Sequence, residues 1–459
     1  MNKKMINPSI DIIFYGVEKL KKRNSVKDAK VLFLVTLFFC CAISSVLGIE
    51  NSLYAINEQD LILIGQEFLL PPPQFIDMPL EKSIMRRMSM RNFTEDPVTD
   101  KELSTILWAA YGLRDDGKHT VAEINGSHSV VIYVLLEDVY IYNPENHSLV
   151  FYKEGDYRDI VGWQYHAPVQ LGLCWNTDLA DANFGSAECG AVGQNIYFAA
   201  NAIGLGTVIT AQSPDPAIEP VGIPSNEKGM GVMPLGHPID DYNFVYRPML
   251  LSLLPRIKFS NTSITTVLEE RDEVTSWENN LISRKDLSHL IWASYGYSYY
   301  IDKSRSNKVK RHHTLPSAHG YYPFRIYTAT KFCISRYMYG LYSIDIIGLP
   351  IVSFLLRIAL GDKRPIIAEA SESFIAEAPL CIIAVLDIQK TISWDDLSNE
   401  SVRWIWYYEA GAAAHNVLLQ ATSRGLAGNI VPIKDKGAIC KLLKLNEEKF
   451  DPMFIIPVG

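Results

Sequence analysis

Asp100–Gly112 reads DKELSTILWAAYG, and Arg284–Gly296 reads RKDLSHLIWASYG. Lys, Leu, Ser, Trp, Ala, Tyr and Gly recur in place at a spacing of 184. Two further echoes follow in the same order. CGAVGQN at Cys189–Asn195 returns as AGAAAHN at Ala410–Asn416, each followed by Gly-Leu, at Gly204-Leu205 and Gly425-Leu426. MPLG at Met233–Gly236 returns as IPVG at Ile456–Gly459. Three collinear echoes mark two copies of one domain. Their spacing grows from 184 to 221 along the chain, which predicts an insertion in the second copy, around Ile346.

Within a copy the elements follow from local pattern. Leu103, Ile106, Leu107 and Ala110 keep a helical period, and Thr99 stands where an N-cap belongs. Ser129–Leu136 is an almost unbroken β-branched run, as a fully buried strand requires. Glu188–Ile203 reads as a second helix stopped by Gly204, and Thr207–Thr210 as a further strand. Alternating helices and strands point to an α+β or α/β core, in two tandem domains. The expected limits are an export or anchor segment 1–48, linker 49–78, domain 79–247, linker 248–273 and domain 274–459.

Composition narrows the function. Hydrophobic residues make 48% and charged residues 20% of 459, a globular balance. A net charge of −8 gives no general drive toward nucleic acid. Seven cysteines are too few for a disulfide scaffold and show no metal-ligand spacing. His312-His313 stands in no metal-ligand spacing, and no metal site is expected. Cys189 reads as a small core residue or a redox thiol. Val31–Gly48 is an uncharged run preceded by lysines and an arginine. It fits a cleaved export signal or a membrane anchor, so the folded part is expected outside the cytoplasmic membrane. The run Ile346–Leu356 is too short to span a bilayer and reads as buried core.

Three stretches carry chemistry. RRMSMRNF, Arg86–Phe93, offers guanidinium forks and a hydroxyl suited to a phosphate, or else a solvated basic patch. IGLGT, Ile203–Thr207, permits close backbone approach to a flat ligand but lacks the third glycine of a dinucleotide fingerprint. HTLPSAHGYYP, His313–Pro323, is a polar turn able to show backbone groups to a ring, or an ordinary loop.

Together these pieces resemble the nitroreductase family of FMN-dependent oxidoreductases, nearest its SagB-type dehydrogenase branch, in two copies over about Leu80–Gly459. RRMSMRNF is similar to the family's opening Arg-x-Ser-x-Arg motif, which implies Arg87, Ser89 and Arg91 toward the flavin phosphate and ribityl chain. CGAVGQNIYFAANAIGLGT resembles the long interface helix and its turn, implying Gly204, Leu205 and Gly206 beside the flavin ring. MPLGHP resembles a closing turn, with Arg247 downstream as a second phosphate ligand. LPSAHGYYP and YYEAGAAAHN in the second copy are similar to the Pro-Ser loop, with Pro316, Ser317 and Ala318, and to the start of the interface helix.

Family members are homodimers with flavin sites between subunits. Here the first copy has AEINGS, Ala122–Ser127, where the Pro-Ser loop belongs, and the second has VTSWENN, Val274–Asn280, where the Arg/Ser motif belongs. The losses are complementary. The resemblance therefore implies a monomeric, intramolecular pseudo-dimer with one composite FMN site, acting on a small-molecule or peptide substrate, with NAD(P)H as electron donor. The Lys-Tyr pair expected of azoline oxidases is missing before Glu188 and before Glu409. No catalytic acid or base is assigned. The alternative is a degenerate pseudo-enzyme that serves as a flavin-binding or partner-binding scaffold.

Overall fold

The structure, a computed structural model, describes residues 66–210, 218–240, 242–246, 252–278, 281–302, 310–339, 353–391 and 399–459. The candidate export segment, Arg247 and most of the Ile346 run lie outside these residues. No helix among the described residues is long and apolar enough to cross a membrane. The helices are α1 (Leu80–Arg86), α2 (Asp100–Tyr111), α3 (Ala182–Ile203), α4 (Ile264–Glu270), α5 (Arg284–Tyr295), α6 (Arg364–Glu369), α7 (Trp404–Thr422) and α8 (Lys436–Leu443). Thr99 caps α2 with a full capping box through Glu102, and Ser283 caps α5 at the same place in the repeat.

The first copy's sheet holds β1 (Glu67–Leu69), β2 (Val130–Leu135), β3 (Val139–Asn143), β4 (Ser148–Lys153), β5 (Val169–Asn176), β6 (Gly206–Thr207) and β7 (Glu227–Gly236). Their order across it is β1-β4-β3-β2-β5-β7-β6. β8 (Phe244–Tyr246), β9 (Tyr297–Asp302) and β10 (Lys310–His313) form a small separate sheet. β8 follows the first copy and pairs with β9 of the second, so the first copy extends an arm onto the second. The second copy's sheet has β11 (Phe324–Ala329), β12 (Cys333–Met338), β13 (Phe354–Leu360), β14 (Leu380–Asp387), β15 (Val431–Pro432) and β16 (Phe450–Val458), in the order β13-β12-β11-β14-β16-β15. Without β1 the two sheets share one topology, and all their pairings are antiparallel. The α+β tandem fold expected from the repeats is the fold observed.

The second copy grows in several steps. Val130 and Phe324, which open equivalent strands, are already 194 apart, and β9–β10 supplies part of that excess. One insertion at Ile346 is therefore too simple. The described end of that run leads into edge strand β13, where Leu356 is 47% exposed, so this end is not core. The stretch 248–273, read as a linker, contains α4. Ser263 caps α4 and bridges to Pro79 at the start of α1, and Ile264 N donates to the Met78 carbonyl. The two short helices thus start side by side as repeat counterparts.

At the centre α3 packs on α7, and both are buried along nearly their whole length. Small residues set how closely they approach. A Cβ on Gly190 would run into the Tyr408 carbonyl oxygen, and one on Gly411 into the Ala187 carbonyl. Polar groups cross the same seam in pairs. Gln194 Nε2 donates to Asn416 Oδ1 at 2.9 Å, and His415 Nε2 bonds Asn195 Oδ1 at 3.0 Å. Burial holds the imidazole of His415 well below its ordinary pKa, so it is neutral and donates from Nε2.

Candidate functional site

One cleft of about 440 Å³ is walled by both copies. That size suits a small-molecule or cofactor ligand. The first copy contributes Ser89, Arg91, Val208, Ile209, Thr210 and Met230, with Val161, Gln164 and Tyr165 at one side. The second contributes Pro316, Ser317, Ala318, His319, Ile405, Tyr408 and Glu409.

Each wall has a local cause. α1 ends at Arg87, whose backbone turns extended, and the chain then runs beside β6 with Met90 N donating to the Thr207 carbonyl at 2.9 Å. This run carries Ser89 and Arg91 to the cleft. Ser89 Oγ lies 3.3 Å from the Tyr197 hydroxyl, and that hydroxyl accepts from Ile209 N at 2.9 Å. The opposite wall is the turn after Leu315. His319, Gly320 and Tyr322 adopt positive φ, and Tyr322 N closes the turn by donating to Ser317 Oγ at 3.0 Å. Tyr322 stacks on His313, with ring centroids 3.6 Å apart.

The floor is the first two turns of α7. Glu409 is 2% exposed, accepts from the Tyr295 hydroxyl at Oε1, and has no hydrogen-bond partner at Oε2. Burial pushes its carboxyl up to about 8, against the lowering effects of Ser317 and Tyr295. Glu409 therefore holds a proton at neutral pH. The Tyr408 hydroxyl is also buried without a partner, seated where Gly193 has no side chain.

The predicted site residues fall into three groups. Ser89, Arg91, Pro316, Ser317 and Ala318, from the first and the second copy, line this one cleft. Arg87 is 2% exposed and does not line it. Its Nε donates to the His313 carbonyl at 3.1 Å, its guanidinium carbon lies 5.2 Å from the Tyr197 ring centre, and Nη1 has no partner. Gly204, Leu205 and Gly206 do not line the cleft either. Gly204 is the left-handed stop of α3, Leu205 is core, and Gly206 makes room for the Met90 side chain. The residues just after this turn, Val208–Thr210, are the ones that face the cleft. Cys189 is fully buried and its thiol is pushed up by burial, so it is a core residue rather than a redox thiol.

Sequence reading missed Tyr408, Glu409 and Val208–Thr210. It also missed Arg271, the counterpart of Arg87. Arg271 ends α4 as Arg87 ends α1, and its Nη2 donates to the His119 and Val121 carbonyls at 3.1 and 2.8 Å. His119 is the counterpart of His313. In Ser89's place stands Glu273, which ion-pairs Arg271 and accepts from Glu123 N at 3.2 Å. Glu188, the counterpart of Glu409, is saturated: Tyr111, His128, and both Ser129 N and Oγ bond it. The two halves of the pseudo-dimer therefore differ, one open and one internally satisfied.

Known proteins match this architecture. The nitroreductase family model matches residues 84–237 and again 271–459. A Methanocaldococcus jannaschii protein named as a nitroreductase is 30% identical over 203 residues, which is 39% of this chain and all of that protein. A crystal structure of an Anabaena variabilis protein, also named as a nitroreductase, aligns over 86% of this chain and 92% of its own at 14% identity, with a TM-score of 0.59. It shares the whole two-copy fold. A Ralstonia eutropha structure of the same naming is 27% identical over 38% of this chain and 89% of its own, with a TM-score of 0.35. Matched by one family model in each of its two halves, the chain belongs to the nitroreductase family.

Proposed function

We propose that this oxidoreductase is FMN-dependent and holds one flavin mononucleotide per chain in the cleft that its two copies share. The observation that carries this reading is the meeting of Ser89 and Arg91 with Pro316–Ala318 in one cavity. The cleft also fits the group chemically. Glu409 Oε2, on the floor of the cleft, is a buried polar atom without a partner, which a ligand bearing ring polar atoms would satisfy, and Arg87, with Nη1 unpartnered, stands behind the wall as a buried positive charge.

In this reading Arg91 and Ser89 hold the phosphate and ribityl end, with Arg87 adding positive charge behind them. Arg247, beyond the described residues, is a further phosphate ligand. Val208–Thr210 and Pro316–Ala318 border the ring, and Met230 and Ile405 exclude water from it. Glu409 keeps a proton at the floor of the cleft. When bound, FMN supplies the hydride chemistry, and NAD(P)H is the electron donor that recharges it. The substrate is a small molecule or peptide, and the SagB-type branch is the nearest likeness. The basic and apolar front segment supports an exported or membrane-anchored placement.

FMN titration of apoprotein tests the assignment. Arg91→Ala and Ser317→Ala should each weaken binding, the arginine change by ~1.5–3 kcal/mol, or about ten- to a hundredfold. Full affinity in both variants would refute it.

A further inference from the structure

We propose that Arg271 marks a second phosphate-recognising pocket, built like the one at Arg87, which this chain keeps shut with its own carboxylate, Glu273. The assignment of phosphate to Arg87 rests on the function proposed above; the closure of the Arg271 pocket is argued from the structure alone. Arg87 and Arg271 each end a short helix, and each guanidinium donates to the equivalent carbonyl of the other copy, His313 or His119. The strands that follow are held alike, Met90 N on the Thr207 carbonyl and Val274 N on the Gly428 carbonyl. The chemistry between these fixed points has changed. Two hydroxyls of the open site, Ser89 and Ser317, are replaced by two acidic residues, Glu273 and Glu123.

A guanidinium buried to 1% exposure needs an anion beside it. At Arg87 no carboxylate among the described residues supplies one, and Nη1 is left without a partner. At Arg271 the chain supplies it two residues later, through Glu273. The same carboxylate takes the Glu123 backbone N–H, so it spans the gap between the motif strand and the turn that would otherwise admit a ligand. Arg271 Nε is still unpartnered, so the pocket carries more donor capacity than one carboxylate uses. The surrounding charges are nearly balanced. Arg114 pairs with Asp116 and bonds the Arg271 carbonyl, and Lys118 pairs with Asp272. Replacing both Glu273 and Glu123 with serine therefore leaves a net positive pocket, and the ligand class it takes is a phosphate or phosphate monoester, which a guanidinium fork and flanking hydroxyls recognise.

The test uses apoprotein and inorganic phosphate, read by calorimetric titration and by the unfolding midpoint, which rises with any ligand that binds the folded state. Glu123→Ser/Glu273→Ser, which restores both hydroxyls of the open site, should gain one phosphate site relative to wild type. Arg271→Gln in that background should remove it. Glu123→Gln/Glu273→Ala, which also removes both carboxylates and the side chain across the gap, should show the same gain if the serine pair folds poorly. In wild type, Arg271→Gln should leave phosphate binding unchanged. A folded Glu273 variant without an added site, or wild-type phosphate binding that depends on Arg271, overturns the proposal. Absence of phosphate binding at Arg87 in wild type, with the added site present in the variant, would instead count against the function proposed above.

Discussion

Gly190 on α3 and Gly411 on α7 occupy equivalent places in the repeat, and each makes room for the backbone of the other's helix. The seam between the copies is thus set by backbone packing, as in a domain core, rather than by a wet interface. Gly190→Ala or Gly411→Ala forces the helices apart and should destabilise the chain by roughly 1–3 kcal/mol, read by urea unfolding. The same change at Gly204, a left-handed helix stop with open space beyond it, should act through local strain alone and leave the seam intact.

The crossed pairs Gln194–Asn416 and His415–Asn195 are repeat equivalents, with His415 standing where the first copy has Gln194. His415→Gln supplies the same donor and should be tolerated to within about 1 kcal/mol. His415→Ala leaves the buried Asn195 oxygen unpaired and should cost roughly 1–3 kcal/mol. Denaturant midpoints of the two variants separate these outcomes.

Glu409 gives stability a pH dependence of defined sign. Its carboxyl ionises near 4.5 when free and is pushed up to about 8 in the fold. Between those values the folded chain binds one more proton than the unfolded chain, so stability falls as pH rises, by ~1.4 kcal/mol per pH unit from this group. The contribution is complete below the lower value and is lost through the upper one. Tyr295, Tyr322 and Tyr339 face the carboxyl and are themselves raised by burial, so they do not titrate in this window. Apoprotein unfolding followed across the window should be flatter in Glu409→Gln than in wild type; equal slopes would refute a retained proton.

The repeat and its fold were legible because both copies keep the residues that make elements. Thr99 and Ser283 cap equivalent helices, and Gly190 and Gly411 survive inside the two echoes of the interface helix. Ser89, Arg91 and Pro316–Ala318 were legible as motif residues, and their complementary loss pointed to one shared site. Arg271 was hidden because ERDEVT bears no likeness to RRMSMR beyond one arginine, and α4 carries too few apolar residues to stand out from a linker. Glu409 stood in a quoted stretch, yet its burial depends on Tyr295, 114 residues away, which no local spacing reveals. The glycines of the Gly-Leu-Gly turn predict close approach to a ligand; in the structure Gly204 stops α3, Gly206 admits Met90, and Val208–Thr210 just beyond them line the cleft.

Asymmetry between the halves should also be visible in stability. Glu273→Ala strips the buried Arg271 of its anion and should cost roughly 3–5 kcal/mol in phosphate-free buffer. Ser89→Ala, at the equivalent place in the open half, removes only a hydroxyl and should cost about 1 kcal/mol or less. Urea unfolding of the two single variants checks the contrast.

The most direct measurement is the stoichiometry of FMN binding to apoprotein, by equilibrium titration of the wild-type chain. One flavin per chain, with affinity lowered both by Arg91→Ala from the first copy and by Ser317→Ala from the second, is the result expected of a single cleft shared by both. Two flavins per chain, or none, would contradict it.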